Sequence, residues 1–413
     1  MASRNDDPGE RSPRRRHRWA RWLLRLAVGV VVVAVGAVVL FVVLTRNPEP
    51  GDFYTPPEDL AGAPGTVLRS EPFDEGLPAG ARGWRVLYTS TDEEGDPIAV
   101  SGLVIAPDDV PDGPRPVLAW AHGTTGIARP CAPSLTDRPL QNIPDMSGPL
   151  ARGWVVTLTD YPGLGTPGPH PYLVGVSEGQ AVLDSVRAAH RLDTGVDLSD
   201  DYLIWGHSQG GHAALFAGQL AADYLPERHL AGVAALAPAT RLKGNLTAIA
   251  GTEAGDVLTI FAIEAWSSYY PELSNDILVA GARRPARRIT ATCFNQPSRY
   301  RIVVDGLTLP GTITSRPVTN DPPWTARLAD NTPDPAGTTA PVLVAQGLSD
   351  EVVAPHVTES WVADRCTSGA ATDWRTYPGL DHLGVVDPAG TAALAWSVDR
   401  IDGHTTPNHC PNG

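Results

Sequence analysis

The run Gly206-His207-Ser208-Gln209-Gly210 constrains this chain more than any other feature, because of what surrounds it. The apolar segment Tyr202-Leu203-Ile204-Trp205 precedes it, and an Ala-rich stretch, residues 212–220, follows. A bare Gly-x-Ser-x-Gly pentapeptide arises often by chance. Between a strand and a helix it specifies a sharp elbow that exposes the serine hydroxyl at the C-terminal edge of a sheet. The glycines are needed because the serine backbone is strained and a Cβ at either flanking position would collide with the adjoining strand or helix. Ser208 is therefore read as a nucleophile presented to a pocket.

A serine hydroxyl needs a base, and the base needs an acid to orient it; behind such an elbow they follow in the order Ser, Asp or Glu, His. Pro341-Val342-Leu343-Val344-Ala345-Gln346 reads as a strand buried on both faces, and it ends in Gly347-Leu348-Ser349-Asp350. After a helix-like segment (355–366) and a strand (373–377), the turn-rich run Pro378-Gly379-Leu380-Asp381-His382-Leu383-Gly384 supplies a histidine. His382 is the expected general base and Asp350 its partner. Asp381 competes for that place, but it adjoins His382 in sequence, where its carboxylate is poorly placed to meet Nδ1. His207 lies inside the elbow, His212 lies in the helix after it, and His170 and His356 lack the strand-then-loop setting.

The third requirement is a pair of backbone N–H groups for the oxyanion, each worth roughly 10² to 10³ in rate. One is expected at Gln209, where the elbow helix starts. The other is expected in His122-Gly123-Thr124-Thr125-Gly126, after the strand at 117–121, with Thr124 first choice and Thr125 second.

On these residues the chain resembles the secretory lipase family of α/β-hydrolases, the group that includes the fungal lipase A type. The likeness is carried by residues 206–211, by Cys131-Ala132-Pro133-Ser134, and by Thr159-Asp160-Tyr161-Pro162-Gly163-Leu164-Gly165. Ser177-Glu178-Gly179-Gln180-Ala181-Val182-Leu183-Asp184 and the loops bearing Asp350 and His382 extend it, so it covers roughly residues 50 to 410. The oxyanion loop departs from the fungal lipase A type, which has an acidic residue there. The resemblance implies disulfides Cys131–Cys293 and Cys366–Cys410; the four cysteines by themselves permit three pairings and fit an oxidising compartment.

Alternating strands and helices imply an α/β fold, a mostly parallel sheet with helices on both faces. The expected strands are an antiparallel pair at 84–90 and 98–106, then 117–121, 154–160, 202–205 and 233–237, with a helix over 176–192. About a hundred residues separate 237 from 342, far more than a crossover needs, so an inserted, mainly helical cap is expected at 241–335. The core then comprises 66–240 and 336–413. Within the cap, an apolar helix around 257–270 is expected either to pack as the cap's core or to line an acyl tunnel above Ser208 with Phe261, Ile263 and Trp266.

Formal net charge is −14, which argues against nucleic acid as a partner. Residues 1–25 hold eight arginines against Asp6, Asp7 and Glu10, a net of +5, leaving −19 for the remainder. Residues 27–44 carry no charge and as a helix would span roughly 27 Å, enough to cross a membrane. A cleaved signal peptide is the rival, but residues 41–46 offer no small-residue cleavage site. The expected order is a cytoplasmic basic tail (1–26), a membrane anchor (27–46), a Pro- and Gly-rich linker (47–65) and an extracytoplasmic catalytic part. The chemistry expected is hydrolysis of lipid-like esters with no metal or organic cofactor. Acyl transfer in the cell envelope, a peptidase, and a membrane-tethered binding protein with a vestigial site are the alternatives.

Overall fold

The computed structural model describes residues 13–60, 62–294, 297–405 and 408–411. Two compact units result, residues 1–46 and 47–413. The described part of the first is one helix, α1 (Pro13–Leu44), in which Arg21–Leu44 is long and apolar enough to cross a membrane, an 18-residue window of it having a mean hydropathy of 3.2. Residues 1–12 of the expected basic tail lie outside the described residues.

The second unit is built on nine strands: β1 (Val67–Phe73), β2 (Ala81–Thr91), β3 (Pro97–Pro107), β4 (Arg115–Ala121), β5 (Val155–Thr159), β6 (Leu198–His207), β7 (His229–Leu236), β8 (Val342–Gly347) and β9 (Thr372–Tyr377). They form one sheet in the order β1-β2-β3-β5-β4-β6-β7-β8-β9. The first three strands and the β3–β5 junction are antiparallel, and β5, β4, β6, β7, β8 and β9 run parallel. Between the strands lie α2 (Ser147–Ala151), α3 (Gly175–Arg191) and α4 (Gln209–Tyr224); α5 (Leu242–Ala248), α6 (Glu253–Tyr269), α7 (Ala280–Thr290), α8 (Arg299–Gly306) and α9 (Pro322–Asp330) all fall between β7 and β8. The chain closes with α10 (Pro355–Thr367) and α11 (Val386–Ile401).

The central strands read as unbroken apolar runs because both of their faces are covered. Val117, Ala119, Tyr202 and Ile204 point to one side and pack on α3 and α4 through Ala181, Val182, Ala213 and Ala214. Leu118, Trp120, Leu203 and Trp205 point to the other side and pack on α11 through Ala389, Ala393 and Trp396. A third apolar cluster lies in the cap, where Ile260, Phe261, Ile263, Ala282, Ile289 and Trp324 are buried together. Helix α6 starts at Thr252, whose hydroxyl accepts from the Gly255 N–H at 2.9 Å, with Glu253 and Asp256 in its first turn.

One expected linker is shorter than its composition implies. Residues 47–65 are Pro- and Gly-rich, yet Tyr54 is buried, its hydroxyl 2.9 Å from Ser134 Oγ, so the chain is already fixed to the domain there. Strand β1 then begins at Val67, ahead of the antiparallel pair expected as the sheet's start.

Candidate active site

Parallel strands deliver their C-terminal ends to one edge of the sheet, and loops from that edge meet there. β4 ends at Ala121, just before His122, β6 ends at His207, just before Ser208, and β8 ends at Gly347, three residues before Asp350. The elbow requires its glycines for close approach: a Cβ on Gly206 would lie 2.0 Å from the Gly210 carbonyl oxygen, and one on Gly210 would lie 1.9 Å from that of Ala121. Ser208 itself sits at φ 59°, ψ −119°, a conformation costly for a residue with a side chain. Its N–H donates to the Leu236 carbonyl at 2.9 Å, which fixes the elbow to β7.

The structure brings Ser208, His382 and Asp350 into one line. His382 Nε2 lies 2.8 Å from Ser208 Oγ, and Nδ1 lies 2.8 Å from Asp350 Oδ2. Asp350 also accepts from the Val352 and Val353 N–H groups, both at 2.8 Å, and from Gln346 Nε2 at 3.0 Å. Burial acts to raise the Asp350 pKa, but the His382 hydrogen bond and charge and those two N–H groups outweigh it, so the carboxyl is held below its ordinary value. Asp381 turns elsewhere, accepting from the Gly384 N–H at 2.7 Å to close its own turn.

His207 braces the loop that carries His382. Its Nε2 lies 2.9 Å from the backbone carbonyl of His382, and the two rings are 4.6 Å apart. A carbonyl only accepts, so Nε2 must carry the proton. Burial and the adjacent His382 ring hold the His207 pKa down to about 3, which keeps it neutral.

Gln209 is the first residue of α4, so its N–H has no acceptor within the helix. Its side chain is anchored below: Nε2 donates to Glu178 Oε1 at 2.6 Å and to His170 Nε2 at 3.2 Å. Glu178 is wholly buried and also meets His212 Nδ1 at 3.3 Å. Sequence reasoning assigned no work to Glu178, His170 or His212; a carboxylate on the buried face of α3 was the available signal. A Cβ on Gly123 would lie 3.3 Å from the His207 carbonyl oxygen and 3.6 Å from Ser208 Cβ, so the loop after β4 runs alongside the elbow. Thr124 Oγ1 is 3.0 Å from Tyr172 Oη, and the Thr125 carbonyl accepts from the Phe294 N–H at 2.8 Å. Loop 122–126 is thus held by Tyr172 and, from the cap, by Phe294. Cys131 and Cys293 are joined next to it, and Cys366 is joined to Cys410.

Above Ser208 opens a cavity of about 870 Å³, lined by Ser208, His382, Thr124 and a largely apolar wall that includes Leu242, Leu246, Val257, Leu258, Phe294 and Ile302. Of the three residues expected to line a tunnel, Trp266 alone does so. Ala262 and Leu258, one and two turns before it, line the cavity with it. Phe261 and Ile263 instead point into the cap's own core, Phe261 edge-on to Tyr172 and Phe294. The helix is apolar nearly all round, so composition could not tell its cavity face from its core face.

The model of the secretory lipase family matches residues 142–409. The chain belongs to the secretory lipase family. It is 24% identical to lipase A of Moesziomyces aphidis over 386 residues, covering 87% of this chain and 81% of that one. A protein of Mycobacterium tuberculosis described as a probable inactive lipase is also 24% identical, over 88% of this chain and 84% of that one. The closed structure of Candida antarctica lipase A superposes with a TM-score of 0.74 at 22% identity, over 89% of each chain, and shares the α/β-hydrolase fold. As a secretory lipase, this chain is a hydrolase of the lipase and esterase class.

Proposed function

We propose that this secretory lipase is a membrane-anchored, extracytoplasmic serine hydrolase that cleaves lipid-like carboxylic esters through an acyl-enzyme. The observation that carries the reading is His382 standing 2.8 Å from both Ser208 and Asp350 at the wall of a largely apolar cavity. Ser208 Oγ attacks the ester carbonyl while its proton passes to His382 Nε2, and Asp350 stabilises the imidazolium that results. The oxyanion rests on the N–H groups of Thr124 and Gln209. The carbonyl–alkoxy bond then breaks, the alcohol leaves with the proton from His382, and Ser208 keeps the acyl group. Water, deprotonated by the same imidazole, releases the acid and restores the hydroxyl.

The residues that set acyl preference are Leu258, Ala262 and Trp266 on α6, with Val257 and Ile302 beside them. Each methylene that such a wall takes from water contributes roughly 0.8 kcal/mol, so medium chains should be preferred to acetate. The anchor is α1, with the arginine-rich end cytoplasmic.

The test is a fluorophosphonate that labels an activated serine, combined with hydrolysis of p-nitrophenyl esters of increasing acyl length, with and without added alcohols. Labelling at Ser208 with net hydrolysis supports the reading. Absence of labelling would mean a vestigial site, and acyl transfer to the alcohol in preference to water would make the enzyme a transferase.

A further inference from the structure

Among the described residues after Leu44, six large apolar side chains are exposed, and four of them lie on α8 or its C-cap: Tyr300 (54%), Val303 (60%), Val304 (54%) and Leu307 (76%). Their spacing of i, i+3, i+4 and i+7 makes one helical stripe, the kind that a water-soluble protein normally buries. Helix α8 buries a different face: Ile302 packs in the cap cluster, and both Ile302 and Gly306 line the cavity above Ser208. One side of the helix therefore faces the cavity and the other offers apolar surface to solvent. Val303 belongs to both, since it lines the cavity and is exposed. Leu383, next to His382, is likewise exposed and lines the same cavity, so the stripe lies at the cavity's opening.

Charge distinguishes the candidate occupants of this stripe. Residues 280–310 hold six arginines and one aspartate, a net of +5, in a chain whose part beyond residue 25 carries −19. Arg299 lies 5.3 Å over the Tyr300 ring, and Arg288 of α7 pairs with Asp305 of α8, so the basic and apolar groups belong to one packed hairpin. Apolar side chains projecting from a basic surface suit the headgroup region of an anionic bilayer. A two-fold pairing of two copies through this face would set like charges against each other.

We propose that the outer face of α8, with the arginines of α7 and α8, docks the catalytic unit on an anionic lipid surface and sets the cavity mouth against it. The benefit of such docking rests on the lipid-ester reading above, whereas the docking itself does not. The test uses residues 47–413, the compact unit that holds all nine strands and both disulfides, so that α1 contributes no binding; a single cooperative melt verifies that it stands alone. It is sedimented, as the Ser208→Ala variant, with vesicles of phosphatidylcholine alone or with about 30% phosphatidylglycerol, at low and high salt. The expected result is a strong preference for the anionic vesicles that salt weakens. Val304→Ser with Leu307→Ser should lower the partition by about tenfold or more while leaving p-nitrophenyl acetate hydrolysis by the Ser208 protein unchanged. No binding, or equal binding by the double variant, overturns the proposal. So does a dimer in light scattering that the same substitutions dissolve. Failure of the hydrolase reading would appear separately, as absence of acetate hydrolysis in a protein that still binds vesicles.

Discussion

At the residue scale, the site depends on how each polar group is held. Asp350 receives four donors, His382 Nδ1 among them, whereas Asp381 is committed to the Gly384 N–H. Asp350→Asn should therefore cost about 10³ to 10⁴ in kcat, by the precedent of an amide that misorients the base, and Asp381→Asn should stay near wild type. Steady-state ester kinetics check this, and the reverse order would reassign the acid. His207 makes a finer prediction. Losing its N–H to the His382 carbonyl frees the loop that carries His382, so His207→Ala should lower kcat by about 10- to 100-fold. His207→Gln keeps a donor and should recover part of that loss. Equal defects in the two variants would mean that His207 only fills space.

At the element scale, legibility followed how local the signal was. The elbow, the Asp350 and His382 loops and the central strands are written in short runs of sequence, because strands buried on both faces leave unbroken apolar segments. β1 left almost no mark: of its seven residues only Phe73 is buried, so no alternation develops. Tyr54 reads as linker in the sequence because what fixes it, Ser134, lies 80 residues away. The faces of α6 are equally silent, since the helix is apolar nearly all round, and they lead to an opposed pair of expectations. Ala262→Trp should block the cavity, reducing hydrolysis of eight-carbon esters far more than that of acetate esters. Phe261→Ala should instead cost about 3 to 5 kcal/mol of stability, because its ring fills the cap core, and leave the chain-length ratio intact. Thermal melts beside a p-nitrophenyl ester series separate the two.

At the scale of the whole molecule, buried histidines and a buried aspartate oppose each other in acid. Burial holds His207 down to about 3 and His170 down to about 4. The unfolded chain takes up those two protons near pH 6.5 and the folded chain does not, so stability falls as pH falls below about 6.5, by roughly 1.4 kcal/mol per pH unit for each. Asp184 works the other way. Burial raises its carboxyl to about 6 despite hydrogen bonds from Ser90, Tyr224 and Arg187, so between about pH 6 and 4 the folded state holds a proton that the unfolded state has lost. Asp184→Asn removes that offset, and its melting temperature should fall more steeply than the parent's from pH 6 to 5. Parallel slopes would contradict the assignment. The disulfides act at the same scale: Cys131–Cys293 spans 162 residues, and its reduction should cost about 2 to 5 kcal/mol, read by denaturant titration with and without reductant.

The central claim is that Ser208 is activated by His382. The most direct measurement is the rate of fluorophosphonate labelling at Ser208, followed by peptide mass spectrometry, in the parent chain and in His382→Ala, each with an unchanged melt. The account predicts stoichiometric labelling at Ser208 in the parent and a rate lower by about 10³ or more without the imidazole. Labelling at another serine, or an equal rate in the two proteins, would contradict it.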